Sequence, residues 1–314
     1  FSVPSALTSL GVLGMGLLAP VISAAIAYSI ADRPGIAPGL LIGCIAKEIG
    51  AGFLGGMLGG YIVGFFVLWL KDKLKVPKWA EGLMPMMIVP TIASIVVGLL
   101  MFFVIGVPIV WLTNALTEFL TSMQGSAKFV FGAIMGGMAA FDFGGPVNKV
   151  ASLFADGLLL EGVQGPEAVK ILASMVPPFG VTLSYAASKF MKKQKYNKEE
   201  EDNIKIAFPM GICMITEGVI PIAMNDLVRV VFSCTVGAAI GGGLSMMWGV
   251  ESPVPSGGMF IVPAMNKPLQ FCLALAIGSV ITGILLFILK KKPVENQADT
   301  EEEEDIDFSD IKIS

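Results

Sequence analysis

The stretch Cys213-Met214-Ile215-Thr216-Glu217-Gly218-Val219-Ile220-Pro221-Ile222-Ala223-Met224-Asn225-Asp226 sets a carboxylate, Glu217, inside an apolar run. Gly218 and Pro221 break that run, and Asn225 and Asp226 close it. At membrane depth an ionised side chain costs about 2.5–3.5 kcal/mol on insertion scales, so such an acid ordinarily faces the protein interior and serves a function. A carboxylate accepts paired hydrogen bonds from vicinal hydroxyls, and it can orient or deprotonate a hydroxyl that attacks another centre. The alternative places for Glu217 are an aqueous hairpin mouth or a structural pair with a lysine. Thr216 either donates to the same ligand or caps a half-helix.

Composition places the chain in a bilayer. Of 314 residues 54% are hydrophobic and only 15% are charged, against about 25% charged in a soluble domain. Mean hydropathy is +0.78. Thirty-seven glycines and eighteen methionines suit close helix packing and adaptable cores. The net charge of −4 owes much to the acidic run Glu301–Asp310. Histidine is absent, which removes the usual phosphohistidine, the usual zinc ligand and any Ser–His or Cys–His pair. Cys44, Cys213, Cys234 and Cys272 are far apart in apolar runs and read as reduced, buried thiols. No metal, no cofactor and no nucleic-acid partner is expected. The chain opens Phe1-Ser2-Val3 without an initiator methionine or a cleavable signal, so further sequence is expected ahead of it.

Six apolar stretches read as spans: Ala6–Ile30, Ala51–Leu70, Leu83–Gly106, Val169–Ser188, Leu227–Val250 and Pro268–Leu289. Gly39–Gly50, with Lys47 and Glu48, is too interrupted to be one, and Pro108–Gln124 reads as amphipathic. Pro177 and Pro178 predict a kink in the fourth span. The second span carries Gly52, Gly55, Gly56, Gly59, Gly60 and Gly64, a small-xxx-small pattern for close backbone approach. Lys189–Lys205 reads as a charged loop, Glu251–Lys267 as an outer loop, and Pro293–Ser314 as a disordered acidic tail.

Lysine clusters at Lys71–Lys78, Lys189–Lys198 and Lys290–Lys292 follow three spans, and the positive-inside rule puts all three, with the tail, in the cytoplasm. Phe129–Glu161 and Ile206–Asp226 must then each cross an even number of times. Re-entrant hairpins satisfy this, and for the longer segment two ordinary crossings do so equally well. Short, Gly/Pro-interrupted apolar segments are the sequence mark of a transporter's substrate site, because irregular backbone survives in a bilayer only where protein or a wet cavity satisfies it.

The first broken segment runs Phe141-Asp142-Phe143-Gly144-Gly145-Pro146-Val147-Asn148-Lys149. Gly144, Gly145 and Pro146 interrupt the helix, and the freed amides become available to ligand hydroxyls. Asn148 offers a donor and an acceptor. Lys149 reaches either Glu217 or a phosphate, and Asp142 lines the site or caps the next helix. Asn225, Asp226 and Arg229 close the site, receive a phosphorylated partner, or form a hairpin end with a local Asp–Arg i,i+3 pair.

Together, Phe141–Lys149 and Ile215-Thr216-Glu217-Gly218-Val219-Ile220-Pro221 resemble the signature segments of the fructose-type membrane component, EIIC, of the bacterial phosphoenolpyruvate-dependent sugar phosphotransferase system, over most of the chain to about Lys292. The resemblance implies an all-α polytopic membrane protein, a transmembrane helix bundle with two re-entrant hairpins like the glucose-superfamily EIIC proteins. It implies a scaffold and dimerisation part over about 1–124 and a sugar-binding transport part over about 125–292. It further implies a lipid-embedded homodimer in the bacterial plasma membrane that imports fructose, or a related sugar such as mannose or mannosylglycerate. As a permease subunit it would work with a separate EIIB, whose phosphocysteine phosphorylates the sugar; no EIIB phosphocysteine loop or EIIA histidine is present here. In that family the glutamate of the Thr-Glu-Gly motif binds sugar, which carries over to Glu217 alone; the reading of the two broken segments adds Thr216, Gly218, Asp142, Gly144, Gly145, Asn148, Lys149 and Asn225 as residues expected around the substrate. The competing expectation is an ion-coupled secondary transporter with Glu217 and Asp142 as ligands.

Overall fold

The computed structural model describes residues 2–291. Among them there is no strand, and six helical runs are long and apolar enough to cross a membrane: Val3–Ala31, Gly52–Lys73, Lys78–Ser122, Gly165–Phe190, Leu227–Met247 and Pro268–Leu289. Each corresponds to one expected span; four contain it whole, while Ala51 and 248–250 fall outside the second and fifth helices. The protein is an all-α, multi-pass membrane protein. The acidic tail expected from Pro293 lies outside the described residues.

The chain forms two compact units. The first comprises 2–128, Ser152–Glu167 and Glu251–Pro255. It opens with α1 (Val3–Gly16) and α2 (Leu18–Ala31), then α3 (Ile36–Glu48) and α4 (Gly52–Lys73). At 13 residues α3 is about 20 Å long, too short for a hydrocarbon core of about 30 Å, in line with the interruptions in its sequence. The glycines of α4 act as spacers: a methyl group on Gly56 would stand 2.9 Å from the Ala19 carbonyl oxygen, and one on Gly60 2.8 Å from that of Ser23. Gly64 faces Ala27 in the same row, so α4 and α2 meet backbone to backbone. On the adjoining side Gly55 and Gly59 receive Ala46, Ile42 and Met101. The expected separate segment Pro108–Gln124 is instead continuous with the third span: α5 (Val89–Leu100) passes through a π-turn at Met101–Ile105 into α6 (Gly106–Ser122). Gly106 fits this wide turn because a methyl there would strike the Met101 carbonyl.

The second unit comprises Phe129–Ala151, Ala168–Val250 and 256–291. It contains most of α7 (Ser126–Phe141), the start of α8 (Pro146–Leu160) and nearly all of α9 (Gly165–Phe190). Its other helices are α10 (Lys198–Ile212), α11 (Ile220–Asn225), α12 (Leu227–Met247) and α13 (Pro268–Leu289). Ala168, Ile171, Leu172, Ala173, Met175 and Val176 put the first half of α9 in the core of this unit, buried on every face over 166–178. The helix runs through Pro177 and Pro178 without a break. A second glycine row lies on α12. Gly242 meets Gly132 of α7, and Gly237 and Gly241 meet Gly278 of α13. In a bilayer, where lipid is as apolar as leucine, such close dispersion contact is what holds helices together.

Gly60→Val forces a branched side chain into the α2–α4 contact and is expected to destabilise by about 1–3 kcal/mol, the usual range for overpacking. A lowered apparent melting temperature in detergent reads it out. Gly14→Ala, where nothing lies within 4 Å, should leave it unchanged.

Candidate functional site

The site is built from two interruptions of regular structure in the second unit. The first separates α7 from α8. Phe143 (φ 47°) and Gly144 (φ 102°) occupy left-handed backbone and reverse the chain. Asp142 then turns back on the helix it precedes: its two carboxylate oxygens accept from the Val147 amide at 2.7 Å and the Asn148 amide at 2.9 Å. Gly145 leaves room for this, since a methyl there would lie 2.5 Å from an Asp142 oxygen. The Asn148 amide group, buried, donates to the Ala139 carbonyl at the end of α7. One side chain therefore caps the N-terminus of α8 and another ties off the C-terminus of α7.

The second interruption follows α10. A capping box starts α10: the Asn197 side chain accepts from the Glu200 amide, and the Glu200 carboxylate accepts from the Asn197 amide. The helix ends at Ile212, Met214 follows in left-handed backbone at φ 67°, and a short 3₁₀ turn over Glu217–Val219 leads into α11. Gly218 lets this turn lie flat on α10, where a methyl would stand 3.0 Å from the Ala207 Cα and the Met210 sulfur. At the far end, Asn225 donates to Glu200 at 3.3 Å. Residues 200–225 thus leave and return to one point, a closed hairpin with Glu217 on its return path. Gly258, in left-handed backbone at φ 59°, packs directly on Ile212, Cys213 and Met214. The segment expected as an outer loop, Glu251–Lys267, therefore reaches the hairpin's turn, and it contains a 3₁₀ stretch over Gly258–Ala264.

The two interruptions meet at Glu217. A methyl group on Gly144 would sit 2.7 Å from one carboxylate oxygen of Glu217 and 3.1 Å from its carboxyl carbon. The carboxylate is exposed, and no hydrogen bond or ion pair reaches it among the described residues. Thr216 beside it is 3% exposed, and its backbone carbonyl accepts from Val219.

Other expected site residues are placed differently. The amides expected to be free at the first break are largely taken: Val147 and Asn148 by the Asp142 side chain, Gly145 by the Asp142 carbonyl and Lys149 by Gly145. Lys149 is exposed, and no ion pair joins it to Glu217 among the described residues. Asn225 belongs to the hairpin base, and Asp226 pairs with Arg229 at 2.8 Å.

That base holds what sequence reasoning missed. Lys290, expected only to terminate the last span, is 3% exposed and pairs at 2.7 Å with Glu200, itself 1% exposed. Its ammonium also lies 5.1 Å from the centre of the Tyr196 ring. Lys189–Lys205, expected as one charged loop, is already helical from Lys198 onward. The Asn197-x-x-Glu200 spacing was the available signal for that start, hidden among the surrounding charges.

Fold and site together define a multi-pass membrane protein that presents one uncommitted carboxylate in a broken-helix site. Comparison with known proteins places it more closely. The PTS system fructose-specific EIIC component of Haloferax volcanii is 40% identical over 302 residues, covering 90% of this chain and 79% of that one. The Fructose permease IIC component of Bacillus amyloliquefaciens is 39% identical over 282 residues, covering 90% of this chain and 91% of that one. The PTS system fructose-specific EIIB'BC component of Escherichia coli is 44% identical over 282 residues, covering 89% of this chain. The chain spans only about half, 49%, of that longer relative. No protein-family model matches the chain, and no solved structure does. The chain belongs to the EIIC family of the sugar phosphotransferase system.

Removing one partner of a buried ion pair leaves the other charged in a poor solvent, a loss of about 3–5 kcal/mol. Lys290→Met is expected to lower the apparent melting temperature accordingly. Glu200→Gln combined with Lys290→Met should recover most of the loss, because neither charge is then left alone and the glutamine oxygen can still accept from Asn197 or Asn225.

Proposed function

We propose that the chain is the sugar-translocating EIIC subunit of a phosphotransferase system, importing fructose or a fructose-like sugar that a separate EIIB phosphorylates. The observation that carries this is the Glu217 carboxylate, seated against Gly144 and without a hydrogen-bond or ion-pair partner among the described residues. A carboxylate in that condition accepts hydrogen bonds from ligand hydroxyls. Held at one hydroxyl of a sugar, it positions that oxygen for attack on the phosphorus of the EIIB phosphocysteine and can take up its proton. The phosphoryl bond to the cysteine sulfur breaks as the bond to the sugar oxygen forms, and trapping as sugar phosphate drives uptake. The names of the relatives support both the sugar and the partner: several are fused EIIB'BC or EIIABC components named as fructose-specific.

Thr216 and Gly218 flank the acid, and Gly144 forms the facing wall. Asp142, Gly145 and Asn148 act on the substrate through the shape of that wall, with their side-chain or backbone groups engaged in closing the break. Lys149, exposed one turn into α8, is placed to meet phosphate. Asn225 acts on the site through the hairpin base. The hairpin from α10 to α11 enters and leaves the membrane by one face, and α7 with α8 forms the second such segment. The part to about residue 124 is the scaffold of a homodimer, and 125–292 is the transport part, with the tail cytoplasmic in a bacterial plasma membrane. The ion-coupled alternative loses its second ligand, because Asp142 is spent on capping α8.

Two measurements test this. In cells supplied with the cognate EIIB, Glu217→Gln should lower uptake of labelled fructose by at least tenfold, with the protein still in the membrane; uptake near the unmutated rate defeats the assignment. Gly144→Ala adds a methyl against Glu217 in backbone that L-residues rarely adopt, and should lower fructose uptake several-fold. The intracellular product in the unmutated protein should be sugar phosphate rather than free sugar.

A further inference from the structure

The end of α9 carries a feature that the transport site does not use. An open cavity of about 560 Å³ is lined by Tyr185, Ser188, Glu201, Tyr196 and the lysines Lys189, Lys192, Lys193 and Lys195. It lies at the level where two spans stop, α9 at Phe190 and α13 at Leu289. Lys195 donates to the Lys290 carbonyl at 2.5 Å, which fixes one side of the cavity to the end of α13. Lys193 stands 5.2 Å from the Phe287 ring and Lys189 5.8 Å from the Tyr185 ring. Among the described residues no carboxylate pairs with Lys189, Lys192 or Lys193. Burial pushes the Tyr196 phenol well above its ordinary value, so this wall stays a neutral hydroxyl.

The surroundings indicate what such a cavity would hold. Phe190 and Met191, beside the lysines, are 89% and 54% exposed. Below them Leu183 of α9 and Ile284 and Ile288 of α13 are also exposed. Cations at the end of a span, with apolar side chains facing outward just beneath them, match the two ends of an anionic lipid: headgroup above and acyl chains below. The one acid on the wall, Glu201, is held by the Tyr185 hydroxyl at 3.1 Å. It disfavours a doubly charged phosphate monoester and would accept from a headgroup hydroxyl. We propose that this cavity binds the headgroup of an anionic phospholipid, a singly charged phosphodiester bearing hydroxyls, of which phosphatidylglycerol is the simplest.

The test is native mass spectrometry of the full chain titrated with phosphatidylglycerol or phosphatidylcholine in detergent. One phosphatidylglycerol per chain should be retained in preference to phosphatidylcholine. Lys192→Gln with Lys193→Gln should weaken that retention about tenfold, and Lys192→Arg with Lys193→Arg should keep it. Lys71→Gln with Lys73→Gln, which neutralises another span-end cluster, should also keep it. Melting in lipid-free detergent should be the same for all these variants, which separates lipid loss from misfolding. No preference for phosphatidylglycerol, or equal loss in the Lys71/Lys73 variant, overturns the proposal. Displacement of the lipid by submillimolar inorganic pyrophosphate assigns the cavity to a soluble phosphate instead. A tenfold gain in retention on changing Glu301, Glu302, Glu303 and Glu304 to Gln makes the chain's own acidic run the occupant, and that also overturns it.

Discussion

A chain that stops being helical within a bilayer must give its freed amides and carbonyls to protein groups or to water in a cavity, because lipid accepts none of them. Most of the second unit follows from this demand. Between α7 and α8 it is met by two side chains, Asp142 on the amides of Val147 and Asn148, and Asn148 on the Ala139 carbonyl. Those bonds require Phe143 and Gly144 in left-handed backbone, and that turn brings Gly144 against Glu217. The acid thus faces a wall shaped by backbone satisfaction, and among the described residues nothing takes up its oxygens.

The hairpin that carries Glu217 is held in a different way. Its base joins Glu200, Asn225 and Lys290, with the Tyr196 ring against the ammonium. Its turn touches Gly258 from the segment before α13. Charged and polar contacts fix the base, and close van der Waals contact fixes the turn. Elsewhere in the unit glycine rows let α7, α12 and α13 approach to backbone distance, so the scaffold around the hairpin relies on dispersion rather than on polar bonds.

Much of this architecture was legible. The six spans follow from hydropathy alone, and the Gly56, Gly60 and Gly64 row announced the close contact that α4 makes. The two broken segments were visible as Gly/Pro interruptions with polar residues, and their sequence motifs carried the family resemblance. Long-range pairing was not legible. Lys290 looks like any lysine at the end of a span, and only the fold shows that it is buried against Glu200. Asp142 reads in the sequence as either a ligand or a cap of the next helix, and the fold decides for the cap, five and six residues ahead, through positive φ at Phe143 and Gly144. The α5–α6 continuity was hidden because a π-turn absorbs a glycine that would otherwise read as an end.

The Glu200–Lys290 pair also bears on the order of assembly. Its partners lie 90 residues apart, the second at the very end of the last span. At about 5–20 residues per second, the ribosome delivers Lys290 several seconds after Glu200 has emerged. Throughout that interval the hairpin with Glu217 exists without its clamp, and Glu200 must stay hydrated or bind another cation. The base of the candidate site can therefore close only once α13 has been made, after every other described helix.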